Sequence, residues 1–180
     1  MQNKFLISIL LLCLSGLLLP VQAAETPDLA PDFTVQAAQA GKEITLHLAE
    51  LLKKGPVVLY FYPKAFTGGC SVEAKGFADA MPEFQKLKAS VVGMSGDDID
   101  ELKKFSTAEC SGKFPLASDP DLKIAAQYGA TRLLMRGWAD RKTYVIAQDG
   151  RILKVIDVSP SQHARAALEA LSAPITGKTN

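Results

Sequence analysis

Cysteine and histidine are scarce in this 180-residue chain, with three of the first and two of the second. The histidines, His47 and His163, lie far from any cysteine and at no metal-ligand spacing, which argues against a zinc or haem site and against any bound cofactor. Both are expected as surface or capping residues. No Cys-x-x-Cys occurs: Cys70 sits between Gly69 and Ser71 with no partner thiol within one turn. A thioredoxin-like thiol–disulfide oxidoreductase, the competing enzyme reading, is disfavoured on that ground. Neither charge predominates, at 20 basic against 19 acidic residues, so there is no electrostatic case for nucleic acid or an anionic membrane. Repeats, low-complexity tracts and internal linkers are absent as well, which leaves a single domain.

Long apolar runs are confined to the N-terminus. Lys4, the run from Phe5 to Leu19, and Pro20-Val21-Gln22-Ala23 form the basic, apolar and small-residue parts of a secretory signal peptide over residues 1–23. The run is short for a membrane span, which needs about 20 residues, so no stable membrane association is expected. Cys13 lies inside it, after a bulky Leu12 that no lipoprotein signal would carry, and reads as filler. Residues 24–180 then form the mature domain, in an exported, oxidising environment of the periplasmic kind, with two cysteines, Cys70 and Cys110, available to pair.

Along that domain, Phe33–Gln36 and Glu43–Leu46 read as short strands around an Ala40-Gly41-Lys42 turn, and Leu48–Lys54 as a short helix ending at Gly55-Pro56. An apolar strand over 57–62 precedes a helical pattern from Ser71 to Lys88, which Gly76 and Pro82 should weaken or kink. Ser90–Ser95 is a second apolar strand, and Asp98 can cap a helix over 99–109. Phe114–Ala117 reads as a strand, and Ser118-Asp119-Pro120 as the opening of a helix over 121–128. Thr143–Ala147 and Ile152–Val158 alternate around Asp149-Gly150, a hairpin signal, and Pro160–Leu171 forms a last amphipathic helix. Strands alternating with helices and closed by a hairpin predict a three-layer α/β sandwich on a mixed sheet.

The most informative residues are Phe61 to Cys70. A strand ends at Pro63, a loop follows, and Cys70 stands where a helix begins. A thiol there meets free backbone N–H groups and the positive end of the helix dipole, both of which favour thiolate. Lys64 in the loop reads as a solvated charge.

This stretch resembles the peroxiredoxin family, and within it the bacterioferritin-comigratory, peroxiredoxin Q-like branch. The resemblance rests on Pro63-x-x-x-Thr67-x-x-Cys70, Ala30-Pro31-Asp32-Phe33, Leu116-Ala117-Ser118-Asp119-Pro120, and Arg141-x-Thr143-Tyr144-Val145-Ile146 ahead of Asp149-Gly150. It implies a thioredoxin-like fold and reduction of hydrogen peroxide or organic hydroperoxides. It assigns Cys70 as the peroxidatic cysteine, oxidised to a sulfenic acid. Thr67 would supply a hydroxyl to the peroxide, Arg141 a fixed positive donor, and Pro63 a shield over the pocket, with Glu73 supporting the arginine. Two departures stand out. Gly68-Gly69 follows the threonine where proline is common, which should make the loop more mobile. Lys75 occupies the position of a same-helix resolving cysteine.

Some relatives resolve from a later helix, and on that likeness Cys110 is the expected resolving cysteine, with a Cys70–Cys110 disulfide reduced by a thioredoxin-like or other dithiol partner. A buried structural thiol remains the alternative for Cys110. A non-enzymatic peroxide sensor or holdase would use the same Cys70 oxidation without turnover. The branch implies a monomer more readily than a dimer. Leu133–Trp138 is apolar for a loop and is expected to pack on the core, line the peroxide pocket or contact a partner.

Overall fold

The computed structural model describes residues 28–131 and 137–173. The expected signal peptide, with Cys13, lies outside the described residues, as does Leu133–Arg136 of the apolar loop.

Seven strands form one mixed sheet, flanked by helices on both faces. In chain order the elements are β1 (Thr34–Gln39), β2 (Lys42–His47), α1 (Leu48–Leu52), β3 (Val57–Phe61), α2 (Gly68–Lys86), β4 (Ser90–Ser95) and α3 (Ile99–Ala108). They continue with β5 (Leu116–Ser118), α4 (Lys123–Gln127), β6 (Lys142–Ile146), β7 (Ile152–Ile156) and α5 (His163–Ser172), the last entered through a 3-10 turn at Pro160–Gln162. The sheet runs β2-β1-β5-β4-β3-β6-β7, with β3, β4 and β5 parallel and the other pairs antiparallel. This is the expected three-layer α/β arrangement.

Every residue of β3 is buried, as a central strand requires. Its period of two sends Val58 and Tyr60, with Tyr62 beyond, into the core under α2, α3 and α5. Val57, Leu59 and Phe61 enter the opposite core with Leu48 of α1 and Ala125 of α4. The strand therefore delivers its C-terminal loop to the sheet end where α2 starts.

Several local expectations shift. α2 runs unbroken through Gly76 and Pro82. Proline at 82 leaves the Ala78 carbonyl without its helical donor, and Lys113 Nζ supplies one from outside at 2.8 Å. That bond also ties the segment after α3 to α2. β5 starts two residues later than expected, beyond Pro115, which has no N–H for a ladder. α4 starts only at Lys123, because a turn closed by Leu122 N–H on the Asp119 carbonyl (2.8 Å) precedes it. Leu122 takes a positive φ of 52° there, and the Asp119 carboxylate accepts from Ala125 N–H at 2.8 Å. The β6–β7 connection is not a two-residue turn: Ala147 N–H meets the Arg151 carbonyl at 2.8 Å, with Gly150 at φ 87°.

Candidate active site

The loop from Pro63 to Thr67 is held from below by Asp97, just past β4. Asp97 Oδ2 accepts from Ala65 N–H (2.7 Å) and Ser95 Oγ (2.8 Å), and Oδ1 accepts from Lys64 Nζ (3.1 Å). The Asp97 carbonyl accepts from Ser118 Oγ at 2.7 Å. Asp97 thus gathers the strand ends under the loop, its buried carboxylate joining the ends of β3 and β4 and its backbone carbonyl reaching β5. Lys64, expected as a free solvated charge, is half exposed but paired. Phe66 turns through φ 57° and sets its ring edge-on to Phe105 of α3, centroids 5.0 Å apart.

Thr67 is the N-cap residue of α2, but its hydroxyl makes no cap bond. It donates instead to the Lys64 carbonyl at 2.9 Å. The proton is engaged, and the oxygen lone pairs are the part left to accept from an incoming O–H group. Gly68, Gly69 and Cys70 form the first turn, where backbone N–H groups have no intrahelical acceptor. The glycines expected to loosen the loop therefore lie inside the helix. Gly69 has a packing reason: a Cβ there would stand 3.3 Å from Arg141 Nη2 and 3.4 Å from Pro160 Cγ. Glycine lets the guanidinium lie against the start of α2 without giving way by the few tenths of an ångström that a Cβ would require.

Arg141, immediately before β6, bridges two groups of α2. Its Nη2 donates to Cys70 Sγ at 3.2 Å, and its Nη1 pairs with Glu73 Oε2. Cys70 and Glu73, three apart, share one helix face, so one planar guanidinium reaches both. Both are almost fully buried. Burial pushes the Glu73 carboxyl up to about 8, against the opposing pull of Arg141. Burial works against the Arg141 cation, but Glu73 and the Cys70 sulfur more than offset it and hold its protonation above the ordinary value.

Sequence reasoning missed the next residue in this chain. His163, expected at the surface or as a cap, has no exposure at all. Its Nδ1 lies 2.7 Å from Thr143 Oγ1 and 3.4 Å from Glu73 Oε1, and its Nε2 lies 3.0 Å from the Val158 carbonyl. The available signal was helical spacing: His163 falls four residues before buried Ala167, on the inward stripe of α5. His47 behaves as expected, half-exposed and paired with Asp32 at 2.9 Å.

Cys110 follows α3, fully buried, and both Cys70 and Cys110 are free thiols. Burial, reinforced by Glu109, pushes the Cys110 thiol up to about 12. Its turn is tied down on several sides. Gly112 N–H reaches the Ser106 carbonyl (2.9 Å), Lys113 N–H the Cys110 carbonyl (3.0 Å), and Gln39 Nε2 the Gly112 carbonyl (3.2 Å). Lys75 of α2, at the place where a same-helix resolving thiol would stand, pairs with Glu109 at 3.2 Å. Among the described residues no three metal-ligating side chains cluster, and no helix is long and apolar enough to cross a membrane.

The model of the AhpC/TSA family matches residues 27–155, well over half of the sequence. The chain belongs to the AhpC/TSA family. Within these peroxiredoxins it is 41% identical over 134 residues to a Mycobacterium tuberculosis protein assigned to the peroxiredoxins, covering 72% of this chain and 86% of that protein. It is 38% identical over 157 residues to the Helicobacter pylori protein bcp, also assigned there, covering 84% of this chain and 100% of bcp. Its fold superposes on the crystal structure of peroxidoxin BcpB from M. tuberculosis with a TM-score of 0.72 at 38% identity, over 81% of this chain and 95% of that one. A cysteine-to-serine variant of Xanthomonas campestris peroxiredoxin Q gives a TM-score of 0.68 at 27% identity, over 77% and 89%. This peroxiredoxin is accordingly a thiol peroxidase of the bcp and peroxiredoxin Q branch, with the thioredoxin-like fold of that group.

Proposed function

We propose that Cys70 is the sulfur that this peroxidase oxidises, with Arg141, Thr67 and Pro63 forming its peroxide pocket and Glu73 supporting the arginine. The observation that carries the reading is the Arg141 guanidinium, 3.2 Å from Cys70 Sγ and held at its other edge by Glu73. The thiolate attacks the outer oxygen of a hydroperoxide, the S–O bond forms as O–O breaks, and the leaving alkoxide takes a proton. The products are the Cys70 sulfenic acid and an alcohol, or water from hydrogen peroxide. Charge moves from sulfur onto the departing oxygen, and Arg141 and the unpaired amides of the α2 first turn stand where that charge develops. Thr67, its hydroxyl donating to the Lys64 backbone carbonyl, accepts from the peroxide O–H and orients it.

The reset step we assign to Cys110: its thiol attacks the sulfenic acid, water leaves, and a Cys70–Cys110 disulfide forms. An external dithiol of thioredoxin-like type then reduces it. A disulfide needs Cα atoms within about 7 Å. On this reading the buried, tied-down turn at Cys110 opens to present its thiol, and the same burial favours a second reading in which an external thiol attacks the sulfenic acid directly. The signal sequence supports export to a periplasmic compartment, and the protein acts as a monomer. Fractionation and sedimentation of the full-length product check these two points.

The central test follows peroxide loss with a dithiol reductant in wild type, Cys70→Ser and Cys110→Ser. Cys70→Ser should abolish turnover, and equal peroxide loss in that variant refutes the assignment. Mass spectrometry after one equivalent of peroxide should find the Cys70–Cys110 disulfide. A sulfenic or sulfinic Cys70 with Cys110 still free would leave the direct route as the mechanism.

A further inference from the structure

Glu73 uses only half of its carboxylate on Arg141. The other oxygen, Oε1, is buried without a hydrogen bond and faces His163 Nδ1 at 3.4 Å. His163 Nε2 points at the Val158 carbonyl, which only accepts, so that nitrogen carries a proton. In a neutral ring Nδ1 is then a lone pair. An ionised Glu73 would set an unsatisfied anionic oxygen against that lone pair, in the interior, where an unmet charge is most costly.

One proton removes the conflict. It can reside on the carboxyl, or on Nδ1, shared between Thr143 Oγ1 and Glu73 Oε1. Either way the pair is electrically neutral as a unit, and the Arg141 charge is left facing the Cys70 sulfur. We propose that Glu73 and His163 form one proton-holding couple, with His163 as its positioning residue, whose protonation decides whether Arg141 serves Cys70 or Glu73. The inference rests on Cys70 being the peroxidatic sulfur.

Other charged or titratable groups face the couple. Arg141 and Cys70 do so across the site, Tyr60 does so from β3 with a buried, unpartnered hydroxyl, and Asp157 lies beside His163 after β7. Burial raises the Glu73 carboxyl to about 8, with Arg141 opposing. Burial lowers His163, with the Val158 bond and Asp157 opposing and Arg141 assisting. Both directions put a proton in the couple at neutral pH, on the carboxyl side. As pH rises through the couple's ionisation, Glu73 becomes an anion that competes with the thiolate for Arg141, so peroxide reactivity falls. Linkage is reciprocal: removing the Cys70 charge must make the couple release its proton more readily.

Two measurements test this. The rate constant for Cys70 oxidation by hydrogen peroxide, followed from pH 5.5 to 9.5, should fall several-fold as the pH passes about 8. Glu73→Gln, which cannot ionise, should lose the descending limb, and His163→Asn should displace it by about half a pH unit or more. A limb unmoved in His163→Asn, or persisting in Glu73→Gln, overturns the couple. The second measurement needs no turnover and no substitution in the buried pair. Nitrogen-15 shifts of His163 should report an inflection in the reduced protein that moves to lower pH by about half a unit or more in Cys70→Ser. Superimposable titrations overturn the linkage. A Cys70 that peroxide fails to oxidise removes the site assignment, whereas one oxidised with a flat alkaline profile overturns this inference alone.

Discussion

Adding one methyl group to Gly69 should slow peroxide reduction while making the protein more stable. Gly68 and Gly69 are adjacent in the first turn of α2, and neither has positive φ, so both accept an L-side chain on backbone grounds. Their surroundings differ. A Cβ at 68 meets nothing within 4 Å, whereas one at 69 meets Arg141 Nη2 at 3.3 Å and Pro160 Cγ at 3.4 Å. The guanidinium must retreat by a few tenths of an ångström, taking its 3.2 Å contact with Cys70 Sγ to about 3.5 Å. At an effective dielectric of about 20, that retreat loses about 0.4 kcal/mol of charge–charge attraction, about twofold in rate. Scaling from the ~100-fold loss that a 1 Å misplacement can cause gives about fourfold. The expected result for Gly69→Ala is therefore a two- to fivefold lower rate constant in single-turnover stopped-flow with hydrogen peroxide. Alanine in place of glycine in a helix adds up to about 1 kcal/mol. Both Gly68→Ala and Gly69→Ala should thus melt about 1–3 °C higher. Gly68→Ala should keep the wild-type rate. Wild-type kinetics in Gly69→Ala, or equal losses in the two variants, would refute the role given to Arg141 contact.

Opening of the Cys110 turn should be helped by removing the Lys75–Glu109 pair, whose lysine is exposed and whose carboxylate is mostly covered: Lys75→Ala speeds disulfide formation about twofold, as an ion pair of about 0.5 kcal/mol allows. Quenched mass spectrometry reads it, and an unchanged rate would mean that the pair does not hold the turn. Asp97→Ala strands Ala65 N–H and the Ser95 hydroxyl in the interior and should cost about 2–4 kcal/mol in urea unfolding; a loss below about 1 kcal/mol would contradict its place as the tie under the loop. Glu73 also sets a sign for stability. Its folded-state ionisation, raised to about 8, contributes stability that is complete below the unfolded-state carboxyl value and is lost as pH climbs through 8. Unfolding midpoints should therefore fall between pH 5 and 8 in wild type more steeply than in Glu73→Gln, and parallel curves would count against a protonated Glu73.

Much of this site was legible because its parts lie on regular elements. The apolar run before Pro63 could only be a central strand, and the helical pattern after Cys70 fixed the junction that carries the sulfur. Arg141 was found through the residues that follow it in β6. What escaped was polar and long-range. Asp97 reads locally as a turn residue, yet its carboxylate ties the end of β4 to the loop after β3 from 32 residues beyond Ala65. Lys113 carries no local signal of its role, yet it replaces the donor that Pro82 removes from α2. Gly69 reads as loop flexibility because its requirement for space comes from Arg141, over 70 residues away. Composition and period report which faces are apolar; they are silent on which buried polar atom meets which.

His163 shows why that silence falls on the chemistry. A histidine on the inward stripe of an amphipathic helix violates the pattern unless its nitrogens find partners, and here Val158 and Thr143 supply them. The third neighbour, Glu73 Oε1, has no hydrogen bond, and it belongs to the residue that pairs with Arg141. A fold that wanted only rigidity could fill this space with apolar side chains at no loss of stability. Keeping a carboxyl and an imidazole there, both with shifted ionisation, places a titrating pair one guanidinium away from the sulfur. The unsatisfied oxygen therefore lies beside the arginine that contacts the Cys70 sulfur, while Cys110 is sealed by burial and by the hydrogen bonds of its own turn.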